Sequence, residues 1–313
     1  MKCPIYPTKF RLNRCYKGCS GRINLWKVMT NQRGSCGGNG NDPAKPLSQP
    51  KLGIEWTALE YPEFLNVVAS FGINLVRLRY GWTNSSTGVQ QTKPWNSINE
   101  HNQVYYDLTK QYVERARKLG IWVHINMFKT QSGFMIPGFS PEEYCDGAWQ
   151  QLYAPANYHL LQARAHKLIQ TIGHPDNVIL ELFCEPESRS VNPAQVREAH
   201  KYLRSVLKHE LGWNPERIST NGGEREFNER AEAGEYYSFH WTDKSKFQGL
   251  VNLLKTKNCK AIFSTDGKDE WNSDVLCAER DEAHRVGAIY AWWNRRWSDS
   301  NEWNSEILRR LGG

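Results

Sequence analysis

From Lys51 onward the chain alternates short apolar runs with helix-length amphipathic segments. The runs are Leu52–Trp56, Ile73–Tyr80, Ile121–Phe128, Val178–Glu185, Arg217–Asn221, Tyr236–Trp241, Cys259–Gly267 and Gly287–Trp293. Each is strand-length, rich in β-branched or aromatic residues, and bounded by turn formers. Between and after them, apolar residues recur at helical spacing over Pro62–Phe71, Glu100–Leu119, Asn157–Thr171, Pro193–Leu211, Glu224–Glu232, Ser245–Thr256, Asp274–Arg285 and Glu302–Leu311. Gly72 and Gly120 close the first two of these helices in the manner of a C-terminal cap. Eight strands and eight helices in strict alternation predict an α/β fold, a (β/α)8 TIM barrel, spanning residues 51–313.

Residues 1–50 follow another pattern. They are rich in Gly, Asn, Lys and Arg, run through Gly34–Asn41 and end on Pro43, Pro46 and Pro50, so they are expected to form a basic, Cys/Gly-rich N-terminal extension outside the barrel core. The formal charge of +7 belongs to this segment: residues 1–51 carry ten Lys or Arg against one Asp, whereas the remainder carries thirty against thirty-two acids. A near-neutral barrel is not expected to bind nucleic acid. Eight Cys, at 3, 15, 19, 36, 145, 184, 259 and 277, permit disulfides but form no C-x-x-C pair, so a metal ribbon or redox motif is not indicated. No secretory leader and no bilayer-length apolar stretch is visible.

Val178–Glu185 organises the chemical reading. The run is apolar from a β-branched start, and Pro186 ends the ladder with Glu185 at the strand's C-terminal tip, where a parallel α/β sheet carries its chemistry. The other tips offer Glu55 or Trp56, Arg77 and Arg79, Asn126 and Phe128, Asn221, His240 and Trp241, Asp266, and Trp292 with Trp293. Thirteen Trp in 313 residues suggest a groove lined by indoles. Two carboxylates across a mouth, an Arg to hold one ionised and aromatic faces for sugar rings are what glycosidic hydrolysis requires.

With these residues in view, the chain resembles the clan A glycoside hydrolases, in particular the cellulase-like family five group, over residues 51–311. The likeness rests on Phe71–Leu78 with its Arg77, Leu182–Pro186, Tyr237–Trp241, Ile262–Gly267 and Ala288–Trp293. The resemblance implies Glu185 as acid/base and puts Asp266 where the family carries a nucleophilic Glu. An acid one methylene shorter makes a covalent route harder and a water-mediated inverting route easier. Two further departures are Cys184 in place of the Asn before the acid/base, and Phe128, or a displacement to His124, in place of the third-strand His.

The expected site is therefore Glu185 and Asp266 as catalytic pair, with Arg77, His240, Trp241, Trp292, Asn126 and Trp82 binding substrate. Of Arg77 and Arg79 only one is expected to reach the mouth, and the family match favours Arg77; of Trp292 and Trp293, Trp292 is expected to face the sugar. Neither a cofactor nor a metal is implied. The first reading is a glycosidase acting on β-linked poly- or oligosaccharide, a monomer with a carbohydrate substrate and no membrane span, which the resemblance suggests is extracellular. Its competitor is a non-catalytic carbohydrate-binding barrel derived from such an enzyme. A metal-dependent hydrolase is disfavoured because no tip carries a His-x-His pair.

Overall fold

A computed structural model describes residues 22–24, 44–56, 64–78, 95–97, 100–101, 103–129, 153–184, 192–240, 242–265, 272–292 and 302–312. Eight parallel strands close into a barrel in chain order: β1 (Leu52–Trp56), β2 (Leu75–Leu78), β3 (Trp122–Lys129), β4 (Val178–Cys184), β5 (Ile218–Asn221), β6 (Tyr236–His240), β7 (Lys260–Thr265) and β8 (Ile289–Trp292). The ring is sealed where Tyr290, Ala291 and Trp292 lie opposite Leu52, Gly53 and Ile54. The helices are α1 (Phe64–Ser70), α2 (Gln103–Lys118), α3 (Tyr158–Ile172), α4 (Pro193–Ser205), α5 (Glu224–Arg230), α6 (Phe247–Lys255), α7 (Ser273–Arg285) and α8 (Ser305–Gly312). Every strand and helix expected from the pattern is present, with ends that move by a few residues.

Local chemistry accounts for several boundaries. Asn192 precedes Pro193, and its side chain accepts from the backbone N–H of Ala194, so the pair starts α4 with a cap and a preset φ. Asn272 caps α7 by accepting from the N–H groups of Asp274 and Val275. At the far end of α5 the Nζ of Lys257 donates to the carbonyls of Asn228 and Ala231, at 2.9 and 2.8 Å, replacing donors that the helix itself cannot supply at its C-terminus.

Side chains sort into two layers by the period of two along each strand. Leu75, Trp122, Ile179, Tyr236, Ile262, Ile289 and Ala291 form a small cluster inside the barrel near the strand starts. A much larger cluster, including Val76, Val123, Leu180, Tyr237, Phe263 and Tyr290, fills the space between strands and helices. The inner end is not left open. Residues 44–50, expected as the tail of the extension, lie across it: Leu47 packs on the inner cluster, Pro50 is buried, and the Trp122 indole donates to the Ser48 carbonyl at 2.7 Å. The Lys45 N–H donates to the carbonyl of Lys118, while Asn74 donates to Ser48 and Gln49 and accepts from the backbone of Lys51 and Leu52. Gly120, at φ 73°, turns the chain out of α2 directly beneath this strap, where a Cβ would meet the Pro46 carbonyl at 3.1 Å.

Earlier in the extension, residues Arg22–Asn24 pair antiparallel with Glu302–Asn304, the segment that leads into α8. Because α8 follows the C-terminal end of β8, this pairing lies toward the barrel mouth, while residues 44–50 cover the opposite end. Among the described residues no helix is long and apolar enough to cross a membrane.

A truncated chain beginning at Ala44 should keep the strap, and one beginning at Lys51 should lose it. The loss of the Trp122–Ser48 bond and the cover over the inner cluster is expected to lower the melting temperature of the shorter chain by at least about 2–4 °C relative to the longer one. Differential scanning calorimetry on the two truncations checks this; equal melting temperatures would show the strap to be dispensable.

Candidate active site

The apolar interior of the barrel gives way, one level above the inner cluster, to a layer of polar groups centred on Glu181. This residue sits in the middle of β4, shares the inward face with Ile179, and is fully buried. Such a carboxylate cannot stay ionised without partners on the neighbouring strands. Arg77 of β2 supplies two: its Nε donates to Oε2 at 2.9 Å and its Nη2 to Oε1 at 2.5 Å. From β5, Asn221 Nδ2 donates to Oε1 at 2.5 Å, and from β3 the Nε2 of His124 lies 3.2 Å from Oε2. Arg77 and His124 are opposite one another in the β2–β3 register, and Asn126 is opposite Glu181 in the β3–β4 register, so the cluster occupies adjoining levels of four consecutive strands.

Burial alone would raise the Glu181 pKa, but the Arg77 guanidinium, His124, the Arg77 hydrogen bonds and the more distant His240 outweigh it and hold the carboxyl below its ordinary value. His240 closes β6 on the same face as Tyr236 and is only partly covered. It is the described residue through which the buried layer meets the mouth from that side of the barrel.

The tips of β3 and β4 depart from regular pleating. Leu182 and Phe183 are adjacent in sequence yet both belong to the outer cluster, and Cys184 then returns to the interior, where its Sγ accepts from Arg77 Nη2 at 3.1 Å. The pairing of β4 with β5 ends at Glu181 and Ser219, and beyond it Asn221 Nδ2 reaches the Phe183 carbonyl at 2.8 Å. On β3, Met127 and Phe128 also both pack outward, with Arg164 Nε donating to the Met127 carbonyl at 2.8 Å and Asn126 Nδ2 to that of Phe128 at 3.3 Å. Side-chain donors thus reach backbone acceptors where the chain turns out of the sheet.

The expected residues divide as follows. Arg77 faces inward as anticipated, but its carboxylate partner among the described residues is Glu181, beneath the mouth. Arg79 has the same parity as Arg77, so a period of two gives no ground for expecting only one of them to face inward; it lies outside the described residues. Asn126 faces inward but is fully buried beside Glu181 rather than open at the mouth. Trp292, expected against the sugar, is a correction: it is 1% exposed and lies level with Ile54 in the outer cluster, while Ile289 and Ala291 are the inward residues of that strand. Of the two replacements considered for the third-strand His, Phe128 packs outward at 5.5 Å from Phe183, whereas His124 faces Glu181. Glu185, Asp266, Trp241 and Trp82 lie outside the described residues. Cys184 and Thr265, the residues before the two acids, end parallel strands three positions apart around the ring.

Sequence reasoning missed Glu181. The signal was present: one acid in an otherwise apolar buried strand, two residues after Ile179, requires a cation at its own level, and Arg77 was already marked. No group of three metal-ligating side chains with metal geometry occurs among the described residues.

No protein-family model matches the sequence, and no curated protein matches it. Solved structures do match in fold. The endo-β-1,4-mannanase from Thermotoga petrophila superposes with a TM-score of 0.56 at 11% identity, over 86% of this chain and 77% of that one. A glycoside hydrolase family 5 enzyme from Prevotella bryantii B14, crystallised with a xyloglucan tetradecasaccharide, gives 0.56 at 13% identity over 88% and 92%. The cellulase Cel5C_n gives 0.54 at 15% identity over 84% and 87%. The class defined is a closed (β/α)8 barrel with a charged layer beneath its mouth. It shares that barrel fold with these enzymes, the Prevotella bryantii protein among them being of glycoside hydrolase family 5.

Glu181 contributes stability above the titration range of an unfolded carboxylate, and that contribution is lost as the pH falls through its lowered native value. Glu181→Gln removes the charge and breaks the buried ion pair with Arg77, which is expected to cost about 3–5 kcal/mol near neutrality. The gap between wild type and variant should narrow in acid, because the wild-type carboxylate must then be protonated as well. Urea unfolding at neutral pH and near pH 3 measures both; a gap that widens in acid would show that Glu181 is neutral in the native protein, and a gap independent of pH that its native pKa is unshifted.

Proposed function

We propose that this protein is a glycoside hydrolase acting on a β-linked polysaccharide or oligosaccharide, with Glu185 as general acid and Asp266 as nucleophile or base. The observation that carries the reading is the polar layer of Arg77, His124, Glu181, Asn221 and His240, set directly beneath the strand ends to which the sequence attaches Glu185 and Asp266. A buried layer of this kind is costly, and its place at the C-terminal end of a parallel barrel is where that architecture carries catalysis. The fold neighbours, named as a mannanase, a cellulase and an enzyme holding xyloglucan, make β-linked glucans and mannans the first substrates to try.

In mechanism, Glu185 in its protonated form gives its proton to the glycosidic oxygen as the bond to the anomeric carbon breaks. Asp266, ionised, either bonds to the anomeric carbon from the opposite face or takes a proton from a water that does so. The shorter Asp favours the water-mediated route. The burial of Trp292 shifts sugar stacking to Trp241, Trp82 and Trp293, whose indoles remain candidates on sequence grounds.

Release of reducing ends from β-glucan, mannan and xylan panels tests the reading. Glu185→Gln is expected to lower turnover by roughly 10²–10⁴-fold on substrates with poor leaving groups, and Asp266→Asn to abolish it. Proton NMR of fresh product then separates the routes, with inversion expected from a water-activating Asp266 and retention from a covalent one. Binding without turnover in the wild type would favour the carbohydrate-binding barrel instead.

A further inference from the structure

Going beyond that reading, and resting on it for the identity of the acid, we propose that Glu181 is a positioning residue for the β4 tip. Its carboxylate holds Arg77 and Asn221 so that the same two side chains grip Phe183 and Cys184, immediately before Glu185.

The geometry has two arms that start and finish on one strand. Arg77 Nη2 bonds both Glu181 Oε1 and Cys184 Sγ, at 2.5 and 3.1 Å. Asn221 Nδ2 bonds both Glu181 Oε1 and the Phe183 carbonyl, at 2.5 and 2.8 Å. Each arm spans the place where the inward and outward alternation of β4 slips and its ladder to β5 has stopped. Among the described residues the β4–β5 backbone ladder stops at Glu181 and Ser219, before the two residues that lead into Glu185. An ion pair placed only for stability needs the guanidinium and the carboxylate. It does not need two of Glu181's partners, Arg77 and Asn221, to reach forward along the same strand to consecutive residues.

The barrel contains a natural control. Arg204 and Glu235 form another buried bidentate pair, with Nε to Oε1 at 2.7 Å and Nη2 to Oε2 at 3.0 Å, but Glu235 precedes the start of β6 and so lies at the strap end. Glu235→Gln disturbs a buried charge of the same kind far from the mouth.

The test uses the full chain and four proteins: wild type, Glu181→Gln, Asn221→Ser and Glu235→Gln. The first readout is the rate at which iodoacetamide modifies Cys184, followed by peptide-resolved mass spectrometry well below each melting temperature. Cys184 is 1% exposed and should be protected in the wild type and in Glu235→Gln. It should react roughly tenfold faster or more in Glu181→Gln and Asn221→Ser, as the arms release it. The same rate in all four proteins overturns the proposal. The second readout is hydrolysis. Glu181→Gln and Asn221→Ser should lower kcat by roughly tenfold to a hundredfold with little change in KM, as misplacement of a reacting group does.

In Glu181→Gln the basic limb of the pH profile should also move to lower pH, because a negative charge four residues before the acid has gone. Glu235→Gln should move neither kcat nor the limb. If it moves both as much as Glu181→Gln does, the role of Glu181 is stability alone. Should the wild type hydrolyse nothing, the glycosidase reading fails while the Cys184 rates still decide the clamp. Should Glu181→Gln not fold, Asn221→Ser keeps the Arg77–Glu181 pair and carries both readouts.

Discussion

A carboxylate in the middle of an apolar strand imposes conditions on every strand near it. Glu181 stays ionised only if a guanidinium arrives at its level from β2, an amide from β5 and an imidazole from β3, and Arg77, Asn221 and His124 meet those conditions. A slip of one residue in any of these strands would turn its contributing side chain into the outer apolar layer. The pair therefore fixes register as well as charge. The apolar contacts that drive closure are indifferent to one residue of sliding by comparison, since Val, Ile and Leu stand on both faces of these strands.

The architecture was legible because two periods alternate without interruption, and because Pro, Gly and Asn mark the joints where one gives way to the other. Asn192-Pro193 and Asn214-Pro215 each start a helical turn, with the Asn side chain accepting from the second following N–H. The site was legible only in part. Arg77 and His240 carried a signal at strand tips, where a search for chemistry looks first, whereas Glu181 lies inside a run that hydrophobicity alone would pass over. Trp292 was misjudged because parity at the end of a strand must be counted from a residue whose direction is known. Ala291 supplies that reference only once its neighbours Gly53 and Leu75 are in place. The fate of Phe128 turns on a break in pleating that no periodicity encodes, since it depends on Arg164 arriving from α3 to take the Met127 carbonyl.

Along its axis the barrel changes character in steps. The strap of residues 44–50 and the inner cluster make an apolar floor; the Glu181 layer follows; the strand tips come last. This order places electrostatic fields where chemistry can feel them and keeps the inside of the barrel apolar at the opposite end. It also explains why residues 44–50 pack on the barrel: they cover the ring of inward residues at the strand starts, with Leu47 against it.

Closure of the ring joins the two ends of the chain, because β8 pairs with β1 across nearly the whole sequence. Until residue 292 has left the ribosome, β1 and β7 each present an unpaired edge, a row of N–H and C=O groups able to recruit strands from other chains. The entropic charge for bringing the ends together grows slowly with chain length, by about 0.6 kcal/mol per doubling, so waiting is hazardous rather than unfavourable. The four residues of β8 are thus what convert a sheet prone to association into one without edges, and a nascent chain stalled just short of them would be a client for chaperones rather than a smaller version of the same protein.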